Sequence, residues 1–127
     1  MRKFKSLVVV VDNDEQVCRA IKRLLRSSGF ASETFRAVDQ LLEMIDLTPS
    51  FRPACIVLDI GGPGLTGLDA HHRLADSGIP VIVMTARDEI GLREQALASG
   101  AIAYLRKPFN GQILIKAVQL AINGSRD

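Results

Sequence analysis

The chain has 127 residues, 47% apolar and 24% charged, enough to bury one core and at odds with a disordered tail. Sixteen Lys and Arg against fourteen Asp and Glu leave a net charge of +2, too little for the basic stripe that grips a nucleic-acid duplex. No apolar run exceeds five residues, which excludes a membrane span. The basic start MRKFKS meets Asp12, Asp14 and Glu15 without the apolar stretch of a signal peptide, so a cytoplasmic location is expected.

Five short apolar runs alternate with five helix-like stretches. The first run, Leu7–Val11, leads into Glu15–Ser28, where Val17, Ile21, Leu24 and Ser28 recur at helical spacing and predict one inward face. Asp14 stands where a helix N-cap belongs. Ala31–Phe35 is polar and reads as an edge strand, followed by a helix over Ala37–Ile45. Cys55–Leu58 and Val81–Met84 are near-continuous Val, Ile and Leu, as in parallel strands buried on both faces. Helices are predicted over Gly67–Ser77, with Thr66 as its cap, and over Glu89–Ser99. Ile102–Leu105 is the last strand and Asn110–Asn123 the last helix. In that helix Ile113, Leu114, Ala117, Val118 and Ala121 form the inward face, with Ile115 and Ile122 outside it. Gly29 and Gly100 follow helices, at C′ positions. Cys18 and Cys55 lack metal-like spacing and read as buried, reduced thiols.

Five alternating units imply one domain over 1–127, ordered from about 5 to 123, built on an open parallel sheet with helices on both faces. In such sheets ligands bind at the carboxyl ends of the strands. There the chain has Asp12-Asn13-Asp14, Asp59, Thr85-Ala86 and Lys107-Pro108. A carboxylate cluster suits a hard cation such as Mg²⁺, and a lone lysine beside a hydroxyl suits phosphoryl oxygens.

Val8–Glu15, Leu58–Gly67 with Asp59 and Pro63-Gly64, Val81–Ala86 and Tyr104–Phe109 with Lys107-Pro108, in this order and each at a predicted strand end, resemble the receiver domain of two-component response regulators. The run from Gly100 to Phe109 looks most like FixJ-type receivers. The resemblance spans essentially the whole chain. It implies the flavodoxin-like (βα)₅ fold of CheY, a three-layer sandwich with strand order 2-1-3-4-5. It further implies that Asp59 accepts a phosphoryl group from a histidine kinase or phosphotransfer protein. Mg²⁺ would be held by Asp12, Asn13, Asp59 and the backbone carbonyl of Gly61. Lys107 would pair with Asp59 and then with the phosphoryl group, while Thr85 and Tyr104 would act as the switch. The surface of helix four, strand five and helix five would change, and a homodimer could form. FixJ-type relatives usually carry a DNA-binding domain after the receiver, so a single-domain regulator and an excised receiver both remain open. Activity of its own would be limited to self-phosphorylation and slow dephosphorylation.

Two departures stand out. Asn13 occupies a position where the family usually has an acid, and Gly62 one where it often has Met. Asn keeps an oxygen donor but removes a charge, which predicts Mg²⁺ binding weaker by roughly one to two decades. Three rival readings compete. A haloacid-dehalogenase-like phosphatase would use Asp12 as nucleophile and Asp14 as acid, but no acidic pair follows Lys107 and Asp59 would be idle. A nucleotide binder would use the G-x-G-x-x-G of Gly62–Gly67 with Asp88, yet Asp59 would then face the pyrophosphate. A pseudo-receiver would serve only as an interaction module, and Asn13 keeps that reading open. Arg19, Lys22, Arg23 and Arg26 line one side of the first helix, as a solvated face or a kinase-docking one. His71 and His72 are adjacent and do not share a helix face; His71 is expected partly under the sheet.

Overall fold

The computed structural model describes residues 6–60, 67–87 and 90–124. Its elements are β1 (Leu7–Val11), α1 (Glu15–Ser27), β2 (Ala31–Phe35), α2 (Val38–Leu47), β3 (Cys55–Asp59), α3 (Gly67–Ala75), β4 (Val81–Thr85), α4 (Leu92–Ala98), β5 (Ala103–Arg106) and α5 (Gly111–Gly124). All neighbouring strands pair in parallel, in the order β2-β1-β3-β4-β5. This is the flavodoxin-like order that the resemblance implied.

Strand alternation divides the core in two. Val8 and Val10 of β1, Cys55 and Val57 of β3, and Ile82 and Met84 of β4 face α1 and α5. Val9, Val11, Ile56, Leu58, Val81 and Val83 face α2, α3 and α4. Both faces are covered, which is why these strands read as unbroken apolar runs. Leu25, Leu41, Leu74 and Leu114 are fully buried, each contributing about 1.5–3 kcal/mol relative to exposure. The polar β2 is an edge strand, as expected, and β5 is the other edge.

Several expectations shift in detail. The buried line of α1 is Cys18, Ile21 and Leu25. Val17 and Leu24 pack only partly against the same core, and Ser28 is the exposed C-cap. The apolar stripe is wide enough for either line, and docking on the sheet selects the second. In α5, Ile113 is 51% exposed rather than inward, while Ile115 and Ile122 pack partly on the first core. Gly29 and Gly100 take φ of +91° and +105° just after α1 and α4, a region glycine enters without steric cost. Thr66, Asp88 and the Gly62–Leu65 stretch lie outside the described residues, so the expected cap and the glycine-rich motif are not located.

Candidate functional site

Register brings the strand ends to one level. Val11 lies opposite Leu58, so Asp12 follows β1 where Asp59 ends β3. Asp59 lies opposite Met84 and Thr85 opposite Arg106, so Thr85 and Lys107 come one step further along the same rim. The Lys107 amide donates to the Thr85 carbonyl at 2.8 Å, which extends the β4–β5 pairing to the site. The Lys107–Pro108 peptide bond is cis.

Asp12 is the most enclosed charge. Its side chain is 1% exposed. Its amide donates to Phe35 O at 3.0 Å, fixing it to the end of β2. Oδ1 accepts from the Asp14 amide at 2.8 Å, and Oδ2 accepts from Lys107 Nζ at 2.5 Å. Lys107 Nζ lies 3.6 Å from Asp59 Oδ2, whose side chain is 9% exposed. The lysine was expected on Asp59; its shorter contact is with Asp12, the more deeply buried carboxylate. A buried charge stripped of its partner costs several kcal/mol, so the deeper acid has the stronger claim on the ammonium.

Asp14 is the N-cap of α1. Its Oδ1 accepts from the amides of Gln16 at 2.9 Å and Val17 at 3.4 Å. Glu15 pairs with Arg36 at 3.3 Å on the surface. Thr85 is fully buried, and its Oγ1 accepts from the Arg87 amide at 3.0 Å. Tyr104 is half-buried against the α2–α4 side of the core, opposite Val83. Asn13 is exposed, and Gly61 lies outside the described residues.

One contact escaped the sequence reading. The Cys18 thiol donates to the Asp12 carbonyl at 3.2 Å. Burial, then the nearby Asp12 charge, push that thiol's pKa up, so it stays protonated as a donor. Only its place six residues after Asp12, one turn into α1, could have hinted at this. Burial pushes Cys55 up to about 12, and both cysteines are free. His71 is 2% exposed, more deeply buried than expected, and burial followed by the His72 charge lowers its pKa.

Asp12 and Asp59 offer oxygen donors suited to a hard cation, and Mg²⁺ needs only one or two protein carboxylates beside waters and phosphate oxygens. Among the described residues no group of three or more His, Cys, Asp or Glu converges. The donor set therefore fits Mg²⁺ in type, but with little negative charge.

A parallel sheet in this order, with acids, a hydroxyl and a lysine at its carboxyl rim, defines the class of α/β domains whose polar site lies at the strand ends. The chain belongs to the response regulator receiver domain family, whose profile matches residues 8–119, and it is thereby a module of two-component signalling. It is 36% identical over 126 residues to nodulation protein W of Bradyrhizobium diazoefficiens, covering 96% of this chain and 53% of that protein. It is 30% identical to response regulator protein TmoT of Ectopseudomonas mendocina, covering 96% and 55%. The chain thus spans about half the length of these relatives. Among solved structures, a response regulator receiver protein from Burkholderia phymatum superposes with a TM-score of 0.85 at 50% identity, covering 94% of this chain and 96% of that one. The structure described as FixJ-N gives 0.82 at 26% identity, covering 95% and 96%. Members of this family interact with histidine kinases and typically bind Mg²⁺ at the phosphorylation site. No described helix is long and apolar enough to cross a membrane.

Proposed function

We propose that Asp59 is the phosphoacceptor. A carboxylate oxygen of Asp59 attacks the phosphorus of a phosphohistidine on a sensor kinase or phosphotransfer protein. The O–P bond forms as the P–N bond breaks, and the imidazole nitrogen leaves with the electron pair. The observation that carries this reading is Asp59 at the end of β3, 9% exposed, with Lys107 Nζ 3.6 Å away. Lys107 would neutralise charge on the phosphoryl oxygens. The Thr85 hydroxyl would turn from the Arg87 amide to donate to a phosphoryl oxygen, and Tyr104 would rotate behind it. Asp12, Asn13, Asp59 and the Gly61 carbonyl would hold Mg²⁺, which when bound supplies positive charge for the phosphoryl oxygens.

The output in this reading is the surface of α4, β5 and α5. It would drive homodimerisation, or act on a partner or a DNA-binding domain in a longer protein. Treatment with acetyl phosphate and Mg²⁺ should add one phosphoryl group by intact mass. Asp59→Asn should abolish it and Asp12→Asn only weaken it. Labelling that survives Asp59→Asn but not Asp12→Asn would move the nucleophile to Asp12. Asn13 favours one second reading, an interaction module that works without phosphorylation, and absence of label under all conditions would favour it.

A further inference from the structure

Two helices carry rows of like charge that no described residue answers. On α1, Arg19, Lys22, Arg23 and Arg26 stand three or four apart on one exposed flank. On α2, Asp39, Glu43 and Asp46 do the same. None of these seven side chains makes a hydrogen bond or ion pair among the described residues. Like charges four apart, as in Arg19–Arg23 and Asp39–Glu43, weaken their own helix slightly, so helix stability does not account for either row. The spacing of Arg19, Arg23 and Arg26 is also that of Asp39, Glu43 and Asp46, four residues and then three. The helices lie on opposite sides of the sheet, α1 over Val8 and Val10 and α2 over Val9 and Val11, so one chain cannot bring its two rows together. Glu15, four residues before Arg19, pairs with Arg36 just past β2, which puts the basic flank beside that edge strand. The acidic row borders a groove of about 440 Å³ between α2 and α3, lined by Asp39, Leu42, Glu43, Asp46, Leu47 and Arg73. Three acids meet one arginine there, and Leu47 is 73% exposed.

We propose that the α2–α3 groove receives α1 of a second copy of this chain, with the basic row of one copy lying along the acidic row of the next. Each copy carries one row of each sign on different faces, so the contact is head-to-tail and copies join in a row or a ring. It uses neither the carboxyl rim nor the surface of α4, β5 and α5, and it does not depend on Asp59 being the acceptor. Exposed ion pairs are individually weak, and salt screens them over about 8 Å at physiological ionic strength against about 30 Å at 10 mM. The association is therefore weak, reversible and sensitive to salt.

The test is a dilution series of the unphosphorylated protein up to ~1 mM, at ~20 mM and at ~300 mM ionic strength, followed by sedimentation equilibrium and amide NMR shifts. In low salt the mass should rise above 13.8 kDa with concentration, with shifts confined to α1, α2 and α3, and both effects should vanish in high salt. Arg19→Gln with Arg23→Gln lowers the net charge from +2 to zero, which eases general repulsion, yet it should weaken association at least about fivefold. Arg23 and Glu43 are the middle residues of their rows and meet whichever way the helices run. Arg23→Glu and Glu43→Arg should each weaken association, and the two together, at the wild-type net charge, should restore it. A wild type that stays monomeric throughout overturns the proposal, as do shifts confined to α4 and α5. Undiminished association of the glutamine variant, or a double variant that fails to restore what the single ones lose, also overturns it in protein that circular dichroism shows folded. Should a variant not fold, the wild-type salt and concentration series decides alone. A monomer whose α2 amides shift only on adding an arginine-rich peptide would give the groove to a basic partner and exclude the second copy.

Discussion

The two ends of the sheet treat buried polar groups differently. At the carboxyl rim, Asp12 and Thr85 are enclosed and hydrogen-bonded, and Lys107 bridges two acids. At the amino end, a cleft of about 480 Å³ runs between the last turns of α3 and α5, lined by His71, Ile79, Ser99, Ile102 and Leu120. There the buried polar group is His71, whose Nδ1 has no hydrogen-bond partner among the described residues. One end holds its polar groups in a network of hydrogen bonds and ion pairs. The other packs largely apolar side chains around one buried imidazole. Chemistry and stability should therefore be separable by mutation.

The sharpest separation is expected from Asp59→Asn, which should remove all phosphoryl labelling by intact mass while circular dichroism stays native. Leu74→Ala, in the last turn of α3, should do the reverse. It should cost about 2–5 kcal/mol in a urea melt, with labelling per folded molecule retained. Loss of labelling in folded Leu74→Ala protein would break the contrast between the ends. Next in size is Asn13→Asp, which restores a rim charge and should tighten Mg²⁺ binding by about ten- to a hundredfold in an NMR titration. Equal affinities would take Asn13 out of the metal's reach.

The smallest effect concerns His71. Its pKa is lowered in the folded protein, so as pH falls below the usual value of 6.5 the unfolded chain takes up a proton that the folded one does not. Stability should therefore fall from about pH 7 towards pH 5, measured as the urea midpoint. His71→Leu should flatten that slope, and an unchanged slope would place its origin elsewhere.

The strands were legible because a parallel sheet covered on both faces leaves its mark as Val, Ile and Leu runs, here within one residue of the observed ends. The rim followed from those ends. The inward face of α1 was less legible, since Val17, Cys18, Ile21, Leu24 and Leu25 form a stripe wider than the contact it makes. The same width misled the reading of Ile113 in α5. Least legible was the choice Lys107 makes between two carboxylates. That choice turns on about an ångström and on which acid lies deeper, across 95 residues of chain. The Cys18 thiol on the Asp12 carbonyl is of the same kind, a contact set by how α1 leaves β1 rather than by a motif.

The division of the core into two faces also means that the chain completes them at different points along its length. The side under α2, α3 and α4 has its last buried residue at Ala101, when β4 is complete and β5 is about to add to the growing edge. The side under α1 waits for Leu114, Ala117, Val118 and Ala121 of α5. Until that final helix emerges, Val8, Val10, Val57, Ile82 and Met84 lie under half a roof. At about 5–20 residues per second the interval lasts seconds on the ribosome. A released chain truncated just after Lys107 would contain every strand and the acid rim, but would leave the face under α1 without Leu114, Ala117, Val118 and Ala121. For this chain, α5 is the cover that completes one face of the core as much as a candidate output surface.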